Sequence, residues 1–299
     1  MVAARGTAAT AALVPSHARQ MQPINARAGW LSPAAISGPV IYVSDTSLGD
    51  NSVKLYSQSG SNQQPIGEIR VVDPAGLAVD NSGNLYVASL GDDAVLMFQK
   101  GHVTPSKTYK TGISNPESVA IGKDGTVYVA NDGDGKLGFV SVYRNGSVQP
   151  SSMITDFDGM ALGVTTDAAN DLLVTYISGF TNVGQLNIYR PGSTSGTNLN
   201  VTLNSPYSIT LDSRGDYVVA DEHNGLIDVF SPGAKTRLAK FAAFLPLGVA
   251  FNSAYNLLYS AEFDNGVVVR AFPSGKIVNM IGSGRVRARG IALSPPAAR

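Results

Sequence analysis

The hydrophobic positions of this chain recur in pairs of short runs. The clearest copy reads Pro74-Ala75-Gly76-Leu77-Ala78-Val79-Asp80, then Gly83-Asn84-Leu85-Tyr86-Val87-Ala88. Each run is rich in aliphatic and aromatic residues and is bounded by Gly, Pro, Asn or Asp, which marks a strand and not a helix. The second run of the pair returns at residues 41–45, 85–89, 127–131, 172–176, 217–221 and 257–261. That spacing, roughly 40 to 45 residues, fits a unit of four strands. Six such units predict an all-β fold, a six-bladed β-propeller with four-stranded blades.

The first of these second strands has no partner before it, because Ser37-Gly38-Pro39 leads straight into Val40. The missing partner stands at the other end of the chain, where Arg289-Gly290-Ile291-Ala292-Leu293-Ser294 matches residues 75–80 in register. The ring is therefore expected to close by joining the two chain ends, leaving no open stack of sheets. The predicted inner strands are 76–80, 118–122, 163–167, 208–212, 248–252 and 290–294, and the propeller is expected over 38–299. Residues 1–37 lack alternation and form a leader or N-terminal extension in this reading. Arg5, the small apolar run 8–14 and Ser16-His17-Ala18 read either as a secretory signal within residues 1–18, which implies an extracytoplasmic, periplasmic or secreted, location, or as a disordered or mis-started N-terminus on a cytoplasmic protein. Trp30 and Leu31 are expected to pack as an apolar plug on a blade flank.

A length of 299 residues suits one closed all-β domain. Lys+Arg and Asp+Glu balance at 22 each, so there is no global basic field and nucleic acid is not an expected partner. The absence of cysteine removes disulfides, thiolate metal sites and thiol nucleophiles. No apolar run approaches the roughly 18 residues of a membrane-spanning helix. A monomer is expected.

Residues 74–98 resemble a repeat of the NHL family, P-x-G-V-A-V-D-x-x-G-N-I-Y-V-A-D followed by a hairpin and an aliphatic-aromatic strand. Residues 116–143, 206–230 and 246–272 follow the pattern with drift, and 160–189 follow it loosely. The resemblance covers about residues 38–299 and implies the six-bladed fold. It does not imply a function, since the family holds binding modules and enzymes alike.

Each repeated residue has a structural role to be set aside first. Asp80, Asp124, Asp167 and Asp212 fall in the turn between first and second strands, where a short carboxylate accepts nearby backbone N–H groups. Tyr56, Phe98, Tyr143, Tyr189, Phe230 and Phe272 recur once per blade near the third-strand ends, as expected of packing between blades. What remains gathers at one end of the ring, where loops enter the inner strand and leave the second strand. That channel face is assigned Asp45, Asp50, Asp73, Asp92, Asp93, Glu117, Asp132, Asp134, Asp156, Asp158, Asp221, Glu222, Glu262 and Asp264, against Lys136, Arg285, Arg287 and Arg289. Lys100, Lys123, Arg144, Arg190, Arg214, Lys235 and Lys276 map to the other face or its edges. A neutral protein is thus expected to be electrically two-sided.

Nearest the channel mouth are the residues one step before the inner-strand Gly or Ser: Ala75, Glu117, Leu162, Tyr207, Leu247 and Arg289. The second-strand exits add Asp45, Ser89, Asn131, Tyr176, Asp221 with Glu222 and His223, and Glu262. Together these predict a polar cluster with an apolar rim, suited to a small molecule or a protein ligand, while an Arg289–Glu117 pair that merely closes the ring is the competing structural reading. The chain also resembles gluconolactonase-type propellers of the SMP-30 family, whose acid-bearing P-D-G or P-N-G phrase aligns with Pro74-Ala75-Gly76, Pro116-Glu117-Ser118 and Pro206-Tyr207-Ser208. Only Glu117 keeps an acid there. By that resemblance, Glu117, Asn131, Asp221 and Glu262 would offer oxygens to Ca²⁺ or another divalent cation. A lyase of the virginiamycin B or peptidylglycine type would want several histidines at the mouth, but only His223 is in place, and no serine stands on a nucleophile elbow. The residues therefore point to a non-catalytic binding or interaction propeller with no cofactor and no catalytic residue, the alternative being a metal-dependent lactonase or hydrolase.

Overall fold

The computed structural model describes residues 29–47, 51–60, 63–133, 137–144, 146–282 and 286–297. The signal-like residues 1–18 and Asp50, Asp134, Lys136 and Arg285 lie outside them. Six antiparallel sheets form the blades of a propeller. From the channel outward, blade one is Ala288–Ser294, Val40–Asp45, Ser52–Ser57, Gly67–Arg70 and Trp30–Leu31. The inner strands of blades two to six are Pro74–Val79, Pro116–Ile121, Gly159–Thr166, Pro206–Leu211 and Pro246–Phe251. Closure is as the sequence predicts: Val40 pairs with Ser294, Ile41 with Leu293, Tyr42 with Ala292 and Val43 with Ile291.

The second strands read as unbroken apolar runs because they are buried on both faces, each blade being covered by a neighbour on either side. The core is accordingly divided into clusters between blades. Each recurrent aromatic packs toward the preceding blade: Phe98 with Tyr42 and Leu55 of blade one, Tyr143 with Val95 and Tyr109 of blade two, and Tyr189 with Val140 and Ile154 of blade three. Phe230 joins the core shared with blade four, and Tyr56 that shared with blade six. The first-turn aspartates act as expected. Asp80 Oδ1 accepts the Ser82 and Asn84 amides at 2.9 Å each, and Asp167 and Asp212 repeat the arrangement.

Residues ahead of the first blade strand pair with the edge of blade one. Trp30 and Leu31 are a short fifth strand on blade one, paired with Glu68 and Gly67, and not simply a plug. The outer strand Gly67–Arg70 otherwise presents unpaired backbone groups. Gly67 leaves the space that Leu31 fills, since a Cβ there would lie 2.8 Å from its side chain. The helix Pro33–Ser37 follows, capped by Ser32, and its Ala35 joins the core between blades one and two.

Two outcomes follow from this architecture. A chain ending before Ala288 loses the inner strand of blade one and leaves the buried ladder of Val40–Asp45 unpaired, so it is expected to be insoluble or grossly destabilised. Soluble truncated protein melting within about 2 °C of the intact chain would contradict closure. The second outcome concerns alkaline pH. Burial pushes the hydroxyls of Tyr42 and Tyr143 up to about 12 from 10.0, and raises Tyr86 and Tyr189 as well. The folded chain then holds more protons than the unfolded chain between pH 10 and 12, so stability is unaffected by these groups below that window and falls as pH rises through it. Urea unfolding across alkaline pH, read beside tyrosinate absorbance, checks this; a urea midpoint that stays level through the window would refute it.

Candidate functional site

The strand registers bring the end of every second strand opposite the start of its own inner strand: Asp45 against Ala288, Ser89 against Pro74, Asn131 against Pro116, Ser178 against Gly159, Asp221 against Pro206 and Glu262 against Pro246. All of these second-strand ends are polar and buried. Most of them pin the connection that enters the inner strand of their own blade. Asp45 accepts the amides of Ser47 and Arg287 at 3.0 and 3.2 Å. Ser89 donates to the Val72 carbonyl at 2.7 Å. The Asn131 side-chain oxygen accepts the Ser114 amide at 3.0 Å, while its nitrogen donates to the Val129 and Phe139 carbonyls. Asp221 accepts the Asn204 and Ser205 amides at 3.0 and 2.8 Å and the Asn224 side chain at 2.7 Å. Glu262 takes the Phe244 amide at 3.0 Å and Arg270 at 2.8 Å.

Blade four departs from the sequence reading. Its first two strands run longer at this end, so the exit residue is Ser178 and not Tyr176, which is buried within the strand. Ser178 accepts the Phe180 and Thr181 amides and donates to Asp158.

Every inner strand carries a register shift at the position singled out from the sequence. Asn131 faces Pro116 and Ala130 faces Ser118, so Glu117 is an extra residue; Leu162, Tyr207 and Leu247 are extra in the same way. In blades one and two the shift lies between Ala288 and Ile291 and between Pro74 and Leu77. A β-bulge breaks the pairing locally and re-aims a side chain. The bulges are followed by small residues because adjacent inner strands nearly touch: a Cβ on Gly290 would lie 2.1 Å from the Ala75 carbonyl oxygen. Ser44 and Thr175 donate across the same gaps to the carbonyls of Ala75 and Pro206 at 2.5 and 2.7 Å.

The inner strands enclose an axial cavity of about 110 Å³. Glu117, Tyr207, Leu247 and Arg289 line it at the bulge level, and Phe251, Tyr255, Pro296 and Ala297 line it toward the other end. Leu162 is buried and Ala75 is covered, so neither joins the opening. Arg289 of blade one reaches past Gly76 of blade two to Glu117 of blade three, with Nη2 to Oε2 at 2.5 Å. Burial works against the Arg289 charge, but Glu117, Tyr207 and Asp132 together hold its pKa above the ordinary value. Burial, assisted by Glu117 and opposed by Arg289, pushes the Tyr207 hydroxyl up to about 12. Both groups are therefore hydrogen-bond donors of fixed protonation at neutral pH.

The proposed cation ligands are not brought together. Asn131, Asp221 and Glu262 are each turned into their own blade as pins, and Glu117 faces Arg289. Among the described residues, no three His, Asp or Glu side chains gather as a metal would require. The oxygens of Asn131, Asp221 and Glu262 are committed to N–H and O–H donors and Glu117 Oε2 to Arg289, so the set does not fit the oxygen cage of a hard cation. His223 is exposed on a loop 2.5 Å from Glu222, and neither lines the cavity. Asp156 accepts from the Tyr189 hydroxyl and the Gly196 amide, at the outer strands of blade four and away from the mouth. The other face holds acids too: Asp171 pairs with Arg190, and Asp212 and Asp216 pair with Arg214. Acids of the channel face are paired as well, Glu262 with Arg270, Asp264 with Arg287 and Glu117 with Arg289.

No protein-family model matches this chain, and no curated protein sequence matches it. Solved structures do. A chain from the crystal structure of a nidogen/laminin complex superposes with a TM-score of 0.72 at 16% identity, covering 87% of this chain and 100% of its own length. A protein of unknown function from Bacteroides caccae superposes at 0.68 with 13% identity, over 86% of this chain and 99% of that one. The likeness is of fold: an all-β, six-bladed propeller of four-stranded antiparallel blades, closed by the last strand against the first blade. No helix among the described residues is long and apolar enough to cross a membrane.

The pins make a prediction of their own. Asp221→Ala strands the buried Ser205 amide and is expected to cost about 1–3 kcal/mol in urea unfolding. Added Ca²⁺ is expected to leave the melting temperature of both proteins unchanged. A Ca²⁺ shift in the parent chain that Asp221→Ala removes would restore a metal role for these residues.

Proposed function

We propose that this chain is a non-catalytic binding propeller that takes its ligand at the channel mouth. The supporting observation is the convergence of Arg289, Glu117 and Tyr207, carried by bulges on blades one, three and five, at the opening of the axial cavity. Among the described residues, Glu117 is bonded to the guanidinium through Oε2, which leaves its other carboxylate oxygen to accept from a ligand. The charges acting on Tyr207 are the carboxylates of Glu117, Glu222 and Asp132 against the single guanidinium of Arg289. A cationic group is favoured there over an anion. The cavity is small beside the roughly 300–1,000 Å³ of drug-sized pockets, so the part of a ligand that enters is one small group: an amine, a guanidine, or one side chain of a protein partner. A protein partner is in keeping with one neighbour in fold having been solved in a complex with laminin.

The test uses arginine amide and lysine amide as probes, with simple carboxylates as the comparison, followed by thermal shift and calorimetry at two ionic strengths. The basic probes are expected to bind saturably and to weaken as salt rises. Glu117→Gln removes one negative charge and releases the guanidinium, so it should abolish the preference for basic probes and favour carboxylates. Equal binding of both probe classes, or indifference to Glu117→Gln, would remove the mouth as the binding site.

A further inference from the structure

On the same face, but off the axis, the junction of blades three and four presents large apolar side chains to solvent. Leu137 is 64% exposed, Met160 39% and Phe180 87%. Each stands next to a glycine, and the three glycines meet. The Gly138 amide donates to the Gly159 carbonyl at 2.8 Å, and the Gly179 amide donates to the Asp158 carbonyl at 2.8 Å. A Cβ on Gly159 would lie 1.7 Å from the Ile177 carbonyl oxygen, so only glycine permits this approach. The extra length of blade four at this end, with Gly159 paired to Ser178 and Met160 to Ile177, lifts the junction to the face. The backbone that carries the three side chains is thus tied across two blades.

Exposed apolar groups scattered singly need no explanation, but three carried beside glycines that meet are gathered on one hydrogen-bonded backbone, as at an interaction surface. Its margin is acidic. Asp132 precedes the blade-three hairpin, and Asp156 and Asp158 lie in the connection to blade four. No Lys or Arg belongs to the described residues of these loops, and Arg287 and Arg289 stand on blade one. From this complementarity we propose that the junction of blades three and four docks a protein segment with an aromatic or aliphatic anchor flanked by lysine or arginine. The proposal rests on the channel face being the binding face; its apolar residues are separate from those of the mouth, while Asp132 acts on both.

The test is selection of a displayed random-peptide library on the full chain, with the enriched peptides resynthesised and their affinities measured. Peptides with an apolar anchor and basic flanks are expected to emerge, to bind more weakly as salt rises, and to lose about tenfold or more in affinity to Phe180→Ala or Met160→Ser, the scale of a hot-spot truncation. Leu238→Ala, on the outer strand of blade five, should leave them unaffected. Unchanged circular dichroism melting confirms that the variants fold. Enrichment of acid-flanked peptides, no enrichment, or affinities insensitive to Phe180→Ala and Met160→Ser would overturn the proposal. So would sedimentation showing self-association of the parent chain that Phe180→Ala abolishes, since the occupant would then be a second copy. Glu117→Gln separates the two sites: loss of arginine amide binding with peptide binding retained leaves the docking surface standing, and the reverse pattern in Phe180→Ala leaves the mouth.

Discussion

The ladder between Val40–Asp45 and Ala288–Ser294 is the constraint on which the rest of the molecule depends. A blade in this ring buries its two faces in apolar clusters that it shares with its neighbours. With the ends joined, blade one is covered by blade six through Tyr56, Tyr259 and Val267, and by blade two through Leu55 and Phe98. Were the ends apart, blade one would lose its inner strand and the sheet edge beside Val40–Asp45 would be open to other chains. Closure also sets the channel. It brings Gly290 against the Ala75 carbonyl, and it delivers Arg289 to Glu117 from the far end of the sequence.

Given that ring, polar residues at the channel end divide by what the backbone asks of them. Connections entering the inner strands carry amides with no strand partner, and an unsatisfied buried donor costs about 1–3 kcal/mol. Asp221, Asn131, Glu262 and Asp45 answer that demand. The bulge residues are different. A bulge takes its extra residue out of the ladder, so the side chains of Glu117, Tyr207, Leu247 and Arg289 are free of any such duty and line the cavity. The scaffold therefore separates backbone support from the lining of the cavity by one step in register.

That single step explains how far the sequence could be read. Strands such as Val127–Asn131 and Tyr217–Asp221 are legible because burial on both faces leaves an unbroken apolar run. The turn at Asp80 is legible because only a short acceptor and a glycine at φ 83° suit it. The position before each inner-strand Gly or Ser was also identifiable, although nothing in the residue types declares a bulge. The role of Asp221 was not, since a carboxylate at a loop looks the same whether it waits for a cation or holds the Ser205 amide. The strand Trp30–Leu31 is too short for any periodicity to appear. Phe180 did leave a signal that went unused: a phenylalanine amid Ser178-Gly179 and Thr181-Asn182 has no apolar neighbour in its turn with which to be buried.

The protonation states at the mouth bear on what such a site does well. General acid–base catalysis is most effective when a group titrates near the working pH. The displaced groups here move the other way: Tyr207 is pushed up to about 12, and Arg289 is held above its already high ordinary value by Glu117, Tyr207 and Asp132 against the effect of burial. Across neutral pH the mouth thus presents a constant pattern of two donors beside carboxylates, in a ring whose geometry is fixed by closure. Under the proposed binding role, the ligand meets two donors on this frame, Tyr207 and Arg289, whose protonation is constant across neutral pH. The same frame carries the junction at Gly138, Gly159 and Gly179, whose tied backbone presents Met160 and Phe180 without the ordering cost a mobile loop would add.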